Sequence, residues 1–173
     1  FKQKGDLVYI LGDTNEELGA SEYALWRGAR GGNIPTVDTK KNAQVYDAVT
    51  KSIQKNYVAS TIGIGRGGLA IALAKSAIAG QLGAHVDLSD IPGNAKSPDG
   101  ILFSESQGRI LVSVPFNKVK RFEQIMRGVA LSSLGEVNET SKLTVRNNEN
   151  KKILDLGVKK LKSIYHSFSN SMK

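Results

Sequence analysis

The segment that most constrains this chain runs from an apolar strand through a glycine turn into an apolar helix and on to a second strand. Val58–Ile64 reads as the first strand, and Gly63-Ile64-Gly65-Arg66-Gly67-Gly68 as the turn. Gly68–Ala79 is a buried helix of Ala, Leu and Ile, and Ala84–Leu88 the second strand. Such a unit belongs to layered α/β architectures, because the helix must bury its apolar side on a sheet. Gly63-x-Gly65-x-x-Gly68, trailed by Asp87, formally fits a dinucleotide fingerprint, with a pyrophosphate over a helix N-terminus and an acid for a ribose. Two other readings stand beside it: glycines placed for tight strand-to-helix packing, or a helix start facing a phosphate in another fold. The unit is succeeded by one helix and a meander, not by further strand–helix–strand units.

Two more turns of the same character flank it. Glu17-Leu18-Gly19-Ala20-Ser21-Glu22-Tyr23 and Leu102-Phe103-Ser104-Glu105-Ser106-Gln107-Gly108-Arg109 pack small residues, hydroxyls and a carboxylate beside apolar runs. Small residues let a ligand approach the backbone, so such segments build polar pockets rather than cores. Three of them in one chain point to an anionic or nucleotide-like ligand. Glu22, Glu105 and Asp13 are the carboxylates nearest these turns, and Arg109, after a glycine at a strand start, is a better anion-ligand candidate than the lysine-rich tail, with an ion-pair partner as the alternative reading. Ser21, Ser104 and Ser106 are suited to holding phosphate or capping a helix. No His neighbours them, so a nucleophilic serine is not expected. His85 and His166 share no metal-ligand spacing, and His85, inside a strand, reads as a satisfied structural side chain. No metal ligand set and no catalytic residue is assigned.

The remaining elements are read from periodicity and caps. Leu7–Leu11 is a strand stopped by Gly12-Asp13. A short helix lies around Tyr23–Arg27, and Asp38 caps a long helix to Lys55. Pro92–Gly100 is a polar connection, and Arg109–Pro115 a strand buried on both faces. A helix then runs through Met126 with Asn117 as its candidate cap. Strands at Leu131–Val137, Lys142–Val145 and Ile153–Leu156 lead to a closing helix, Val158–Phe168, with Leu161, Ile164, Tyr165 and Phe168 inward. No repeat or linker divides the 173 residues, so the expected fold class is α+β in α/β layers: a single domain, 1–173, whose mixed sheet is covered by helices.

Composition narrows the partners. The chain has no Cys, which excludes a disulfide scaffold and fits a reducing, cytoplasmic setting. No apolar stretch reaches spanning length, so no membrane partner is expected. The net charge of +8 would suit nucleic acid or anionic metabolites, but no basic cluster is interleaved with aromatics as a stacking platform would be. The lysines at 151, 152, 159, 160, 162 and 173 read as a solvated face. The chain opens without Met, and it is expected to be a piece of something longer.

Taken together, these segments resemble the C-terminal domain of the aminoimidazole-ribonucleotide synthetase superfamily, and within it most of all the phosphoribosylformylglycinamidine synthases. Val8-Tyr9-Ile10-Leu11-Gly12-Asp13-Thr14 is similar to the family's strand ending in Gly-Glu/Asp-Thr, and Glu17–Tyr23 to its Glu-Leu/Phe-Gly-Gly-Ser-Glu-Tyr/Leu. Gly67-Gly68-Leu69-Ala70-Ile71-Ala72-Leu73-Ala74 is similar to its helix start. Leu102–Arg109 resembles Leu-Phe-Ser-Glu-Ser-x-Gly/Ser-Arg, the most specific of the set. Leu82–Leu88, Leu134-Gly135-Glu136-Val137 and the helix after Asp155 extend the likeness to the end of the chain. The family's His-Asp pair and Ser before the glycines are replaced by Ile62, Gly63 and Gly65, followed by Arg66, and its second glycine by Ala20. The dinucleotide fingerprint is a by-product of those substitutions.

The resemblance implies part of an ATP-dependent ligase of purine synthesis that converts formylglycinamide ribonucleotide, with ammonia from glutamine, to the amidine. It implies ATP and Mg²⁺ held mainly by a separate N-terminal domain, and a glutaminase as further partner. It implies that Gly19, Ser21, Glu22, Gly67, Gly68, Ser104, Glu105, Ser106 and Arg109 face the cleft or the partner domain. Alone, the domain would be catalytically silent. A basic nucleic-acid-binding module, or another ATP-dependent member such as a thiamine-phosphate or selenophosphate kinase-like enzyme, remain the alternatives.

Overall fold

The computed structural model describes residues 1–170, with side chains through Ser167. Seven strands form one sheet: β1 (Leu7–Leu11), β2 (Ser60–Gly63), β3 (Gly83–Asp87), β4 (Ile110–Val114), β5 (Leu131–Asn138), β6 (Lys142–Arg146) and β7 (Lys152–Gly157). Six helices accompany them: α1 (Glu22–Trp26), α2 (Thr39–Gln54), α3 (Gly68–Gly80), α4 (Pro98–Phe103), α5 (Val119–Ile125) and α6 (Val158–Asn170). The strand order is β2-β4-β1-β5-β3-β6-β7, with β3 and β6 parallel and every other pair antiparallel. The expected single layered domain with a mixed sheet is what forms.

Alternation along each strand divides the core in two. Val8, Ile10, Leu111, Leu134, Ala84, Val86, Leu143 and Val145 face α3, α4 and α6, where Leu69, Leu73, Leu102 and Val158 meet them. Tyr9, Leu11, Val112 and Val114 point the other way, onto Val45, Ala48 and Val49 of α2 and Phe122 and Met126 beside α5. β1 and β4 are therefore covered on both faces, and β4 is buried as its composition requires. Among the described residues the outer face of β3 and β6 has no helix over it, and it carries the exposed residues His85, Asp87, Lys142 and Arg146.

Several expectations are corrected here. β2 and β3 are separated by β4, β1 and β5, so the glycine turn does not sit in a dinucleotide-binding strand–helix–strand unit. His85 is not a satisfied core residue; it alternates outward between buried Ala84 and Val86. The connection from Pro92 contains α4, capped by Ser97, whose Oγ accepts the Gly100 amide at 2.8 Å. Asn117 caps nothing: Phe116–Lys118 is a single 3-10 turn in which the Pro115 carbonyl accepts the Lys118 amide at 2.8 Å, and α5 begins after it with Lys118 in the capping position and no side-chain cap. On α6, Val158 is buried and Leu161 packs on the core, but Ile164 and Tyr165 are 57% and 54% exposed. The side chain of Phe168 lies outside the described residues.

Candidate functional site

The three motif turns converge at one end of the sheet, and a carboxylate joins them. Glu105 Oε1 accepts the backbone amides of Glu22 and Gly67, both at 2.9 Å, so it caps the start of α3 and pins the start of α1 to it. The Glu22 carboxylate in turn pairs with Arg66. Gly68 makes this junction possible: at φ +66°, a Cβ there would lie 2.6 Å from the Leu102 carbonyl and 2.7 Å from that of Ser104. Gly19 is equally confined, since a Cβ would lie 2.5 Å from the Gly32 carbonyl. Ala20, which replaces the family's second glycine, sits at φ +58°. Ser21 caps α1, accepting the Ala24 amide at 3.1 Å.

Arg109 is 2% exposed, and its guanidinium is turned inward. Nε donates to the Ser106 carbonyl at 3.0 Å, one terminal nitrogen to Thr14 Oγ1 at 3.1 Å, and the other to the Ser104 carbonyl. Burial lowers its pKa to about 10, against the opposing pull of Glu17 and Glu105. Ser104 and Ser106, also buried, share a hydroxyl–hydroxyl bond of 2.8 Å, and Ser106 Oγ accepts the Asn15 amide at 3.0 Å. The motif residues are thus brought together, with a division of labour the sequence did not show. Arg109, Ser104, Ser106 and Ser21 hold the loops, while Glu22 and Glu105 are only partly buried.

The open space lies beside this scaffold. A cavity of about 390 Å³ is bounded by the end of β1, the first turns of α2 and the Ser106–Gln107 turn. Asp13, Asn15, Thr36, Lys41, Asn42 and Gln107 line it, and Lys41 bonds to Asp13 at 2.7 Å, which raises the lysine's pKa. A second cavity shares Asn15 and Thr36 and extends over Glu17 and Ile34. Glu17 is buried; its Oε1 accepts Thr36 N and Oγ1 at 3.1 and 3.0 Å. Amides, hydroxyls and one carboxylate–ammonium pair suit a ligand with several hydroxyl, amide or charged groups. Asp13 and Ser106, named from the sequence, are among the first cavity's lining residues. Asn15, Thr36, Lys41 and Asn42 were missed, although the Asp38 cap, accepting the amides of Lys40 and Lys41, marks the helix start that delivers two of them.

At the N-terminus of α3 the Gly67 amide is taken by Glu105. Among the described residues no group of three or more His, Cys, Asp or Glu is placed to hold a metal ion.

Known proteins agree with this architecture. PurL of Thermococcus sibiricus, a phosphoribosylformylglycinamidine synthase subunit, is 34% identical over 168 residues, which cover 96% of this chain and 23% of the relative. The chain therefore spans about a quarter of that protein's length. Thermotoga maritima PurL complexed with FGAR superposes with a TM-score of 0.79 at 25% identity, over 92% of this chain and 28% of that one. The same protein complexed with ATP gives 0.78 at 24% identity, over 93% and 26%, a likeness of fold. The family described as "AIR synthase related protein, C-terminal domain" matches residues 3–148, and the chain belongs to it.

Proposed function

We propose that this chain is the C-terminal domain of a PurL-type phosphoribosylformylglycinamidine synthase, the ATP-dependent ligase that turns formylglycinamide ribonucleotide and ammonia into the amidine. The observation that carries the reading is the 34% identity to PurL sustained over 96% of the chain. The Glu105 junction supports it, because it holds the three motif turns in one place beside a polar cleft. In this reading ATP and Mg²⁺ are held by another domain of the enzyme, and glutamine-derived ammonia is supplied by a glutaminase partner. This chain contributes the wall of the ribonucleotide site. Asp13, Lys41 and the Asn15 and Asn42 amides are the groups that would meet the ribose hydroxyls and the formylglycinamide. Among the described residues no helix is long and apolar enough to cross a membrane, and a cytoplasmic setting is part of the proposal.

The test is an assay of the complete gene product with ammonium, ATP and formylglycinamide ribonucleotide. Substrate-dependent phosphate release together with amidine formation is expected, and the 173-residue chain alone should give neither. Lys41→Met should raise KM for the ribonucleotide while leaving KM for ATP unchanged. A complete product that releases no phosphate in response to this substrate would refute the assignment.

A further inference from the structure

At the polar cavities one buried carboxylate oxygen is left unanswered. Glu17 is 6% exposed, and among the described residues no donor meets its Oε2. The other oxygen is clamped: Oε1 accepts the Thr36 amide at 3.1 Å and the Thr36 hydroxyl at 3.0 Å. Two donors on one oxygen orient the group and leave Oε2 as a fixed acceptor. A buried polar atom without a partner is costly, so its place in the fold calls for a reason. The other buried side-chain atoms without partners, Asp6 Oδ1, Ser52 Oγ and Asn138 Nδ2, belong to residues that line neither polar cavity. Glu17 does line one, the cavity of about 540 Å³ that runs over Asn33 and Ile34, while Asn15 and Thr36 line both. Neighbouring groups are committed elsewhere. Arg109 directs its guanidinium to Ser106, Thr14 and Ser104, and reaches Glu17 through its charge alone. Asn33 Nδ2 donates to the Glu16 carbonyl at 3.4 Å. The Glu16 carboxylate accepts the Lys96 amide at 3.2 Å and the Ser97 hydroxyl at 2.6 Å. With Arg109 already opposing the charge of Glu17, Oε2 suits a neutral O–H or N–H better than a cation.

We propose that Glu17 binds the ribonucleotide: its Oε2 accepts one hydroxyl or amide hydrogen of the substrate at the wall the two cavities share, and Thr36 holds it in register. The inference rests on the reading above, in which this cleft takes formylglycinamide ribonucleotide. That molecule carries both kinds of donor, ribose hydroxyls and amide N–H groups. A carboxylate acceptor in a buried setting makes a strong bond. A substrate lacking the donor would leave Oε2 unpaired again, and a site discriminates against such a substrate on that account.

Steady-state kinetics of the complete gene product, with ammonium and ATP saturating, test this. Glu17→Gln keeps the shape of the side chain and the oxygen that Thr36 holds, but replaces Oε2 by a donor. KM for the ribonucleotide should rise by about tenfold or more, and KM for ATP should not change. Thr36→Val, at an exposed position, removes one of the two bonds that orient Glu17 and should raise the same KM by about threefold. It carries the test if the Gln variant does not fold. The 2′-deoxy and 3′-deoxy ribonucleotides then identify the donor. If it is a ribose hydroxyl, one of them should lose about tenfold in kcat/KM with the unchanged enzyme and nothing further with Glu17→Gln. If it is an amide N–H, each analogue should lose the same factor with both enzymes. An unchanged ribonucleotide KM in both variants, whatever their Tm, would overturn the proposal and give Oε2 to water or to another part of the protein. The functional reading would then stand, provided the unchanged product made amidine. A product that made none would overturn both.

Discussion

Replacing Arg109 by Met tests whether the buried guanidinium holds the site or burdens it. Two effects oppose each other. Burial lowers the arginine's pKa to about 10, and taking a charged side chain out of water costs several kcal/mol. Against that stand three hydrogen bonds from a charged donor, to Ser106, Thr14 and Ser104, each contributing about 1.5–3 kcal/mol. The bonds win. Methionine removes both effects, but it also leaves two buried carbonyls without their partner and the buried Glu17 carboxylate without a neighbouring positive charge. Breaking a buried charged set from one side costs about 3–5 kcal/mol, so a loss near 4 kcal/mol is expected. With a urea m-value of roughly 2 kcal/mol/M for a chain of this size, the unfolding midpoint should fall by about 2 M. Arg109→Lys keeps the charge but not the fork, and about half that loss is expected. It also preserves a reading if the Met variant fails to fold. A Met variant with a midpoint within about 0.5 M of the unchanged protein would show that burial cancels the bonds, and would refute the scaffold role.

Two further perturbations have signs fixed by the geometry. Ala20 is exposed at φ +58°; relieving the left-handed strain of about 1–2 kcal/mol outweighs glycine's extra unfolded-state entropy, so Ala20→Gly should raise Tm by about 2 °C, and a lower Tm by calorimetry would contradict it. Asp6 is fully buried with Oδ1 unpartnered, and burial raises its pKa. Its stabilising contribution is complete below its unfolded pKa and lost as pH rises through the folded one. Asp6→Asn should therefore show a higher Tm at pH 7, with the advantage shrinking toward pH 4, and thermal melts with the opposite trend would exclude it.

How much the sequence disclosed depends on how local each physical signal is. β1 was legible to the residue, because an apolar run bounded by Gly12 admits few alternatives. The same holds for the Asp38 cap, whose side chain accepts two amides of the first turn. α4 was missed although Ser97-Pro98-Asp99 is a complete start signal, since six residues offer too little periodicity to outweigh Gly100. The inward side of α6 was misjudged for a different reason. Leu161, Ile164 and Tyr165 do share a helix face, but how much of that face neighbouring elements cover is a tertiary fact, and no local pattern records it.

The site shows the same limit in sharper form. Lining a pocket and holding its walls both call for small, polar and charged residues, so composition identified the right turns without separating their tasks. Arg109 looked like an anion ligand because it comes after a glycine at a strand start; its neighbours Ser104, Ser106 and Thr14 occupy its donors instead. The departures from the family pattern fit this division. Ile62, Gly63 and Gly65 remove polar groups from the turn, yet Arg66 meets Glu22, and Glu105 still ties Glu22 to Gly67. The scaffold therefore closes without the lost side chains. The contact chemistry that remains is the Asp13–Lys41 cleft, reached from β1 and α2 rather than from the glycine turn.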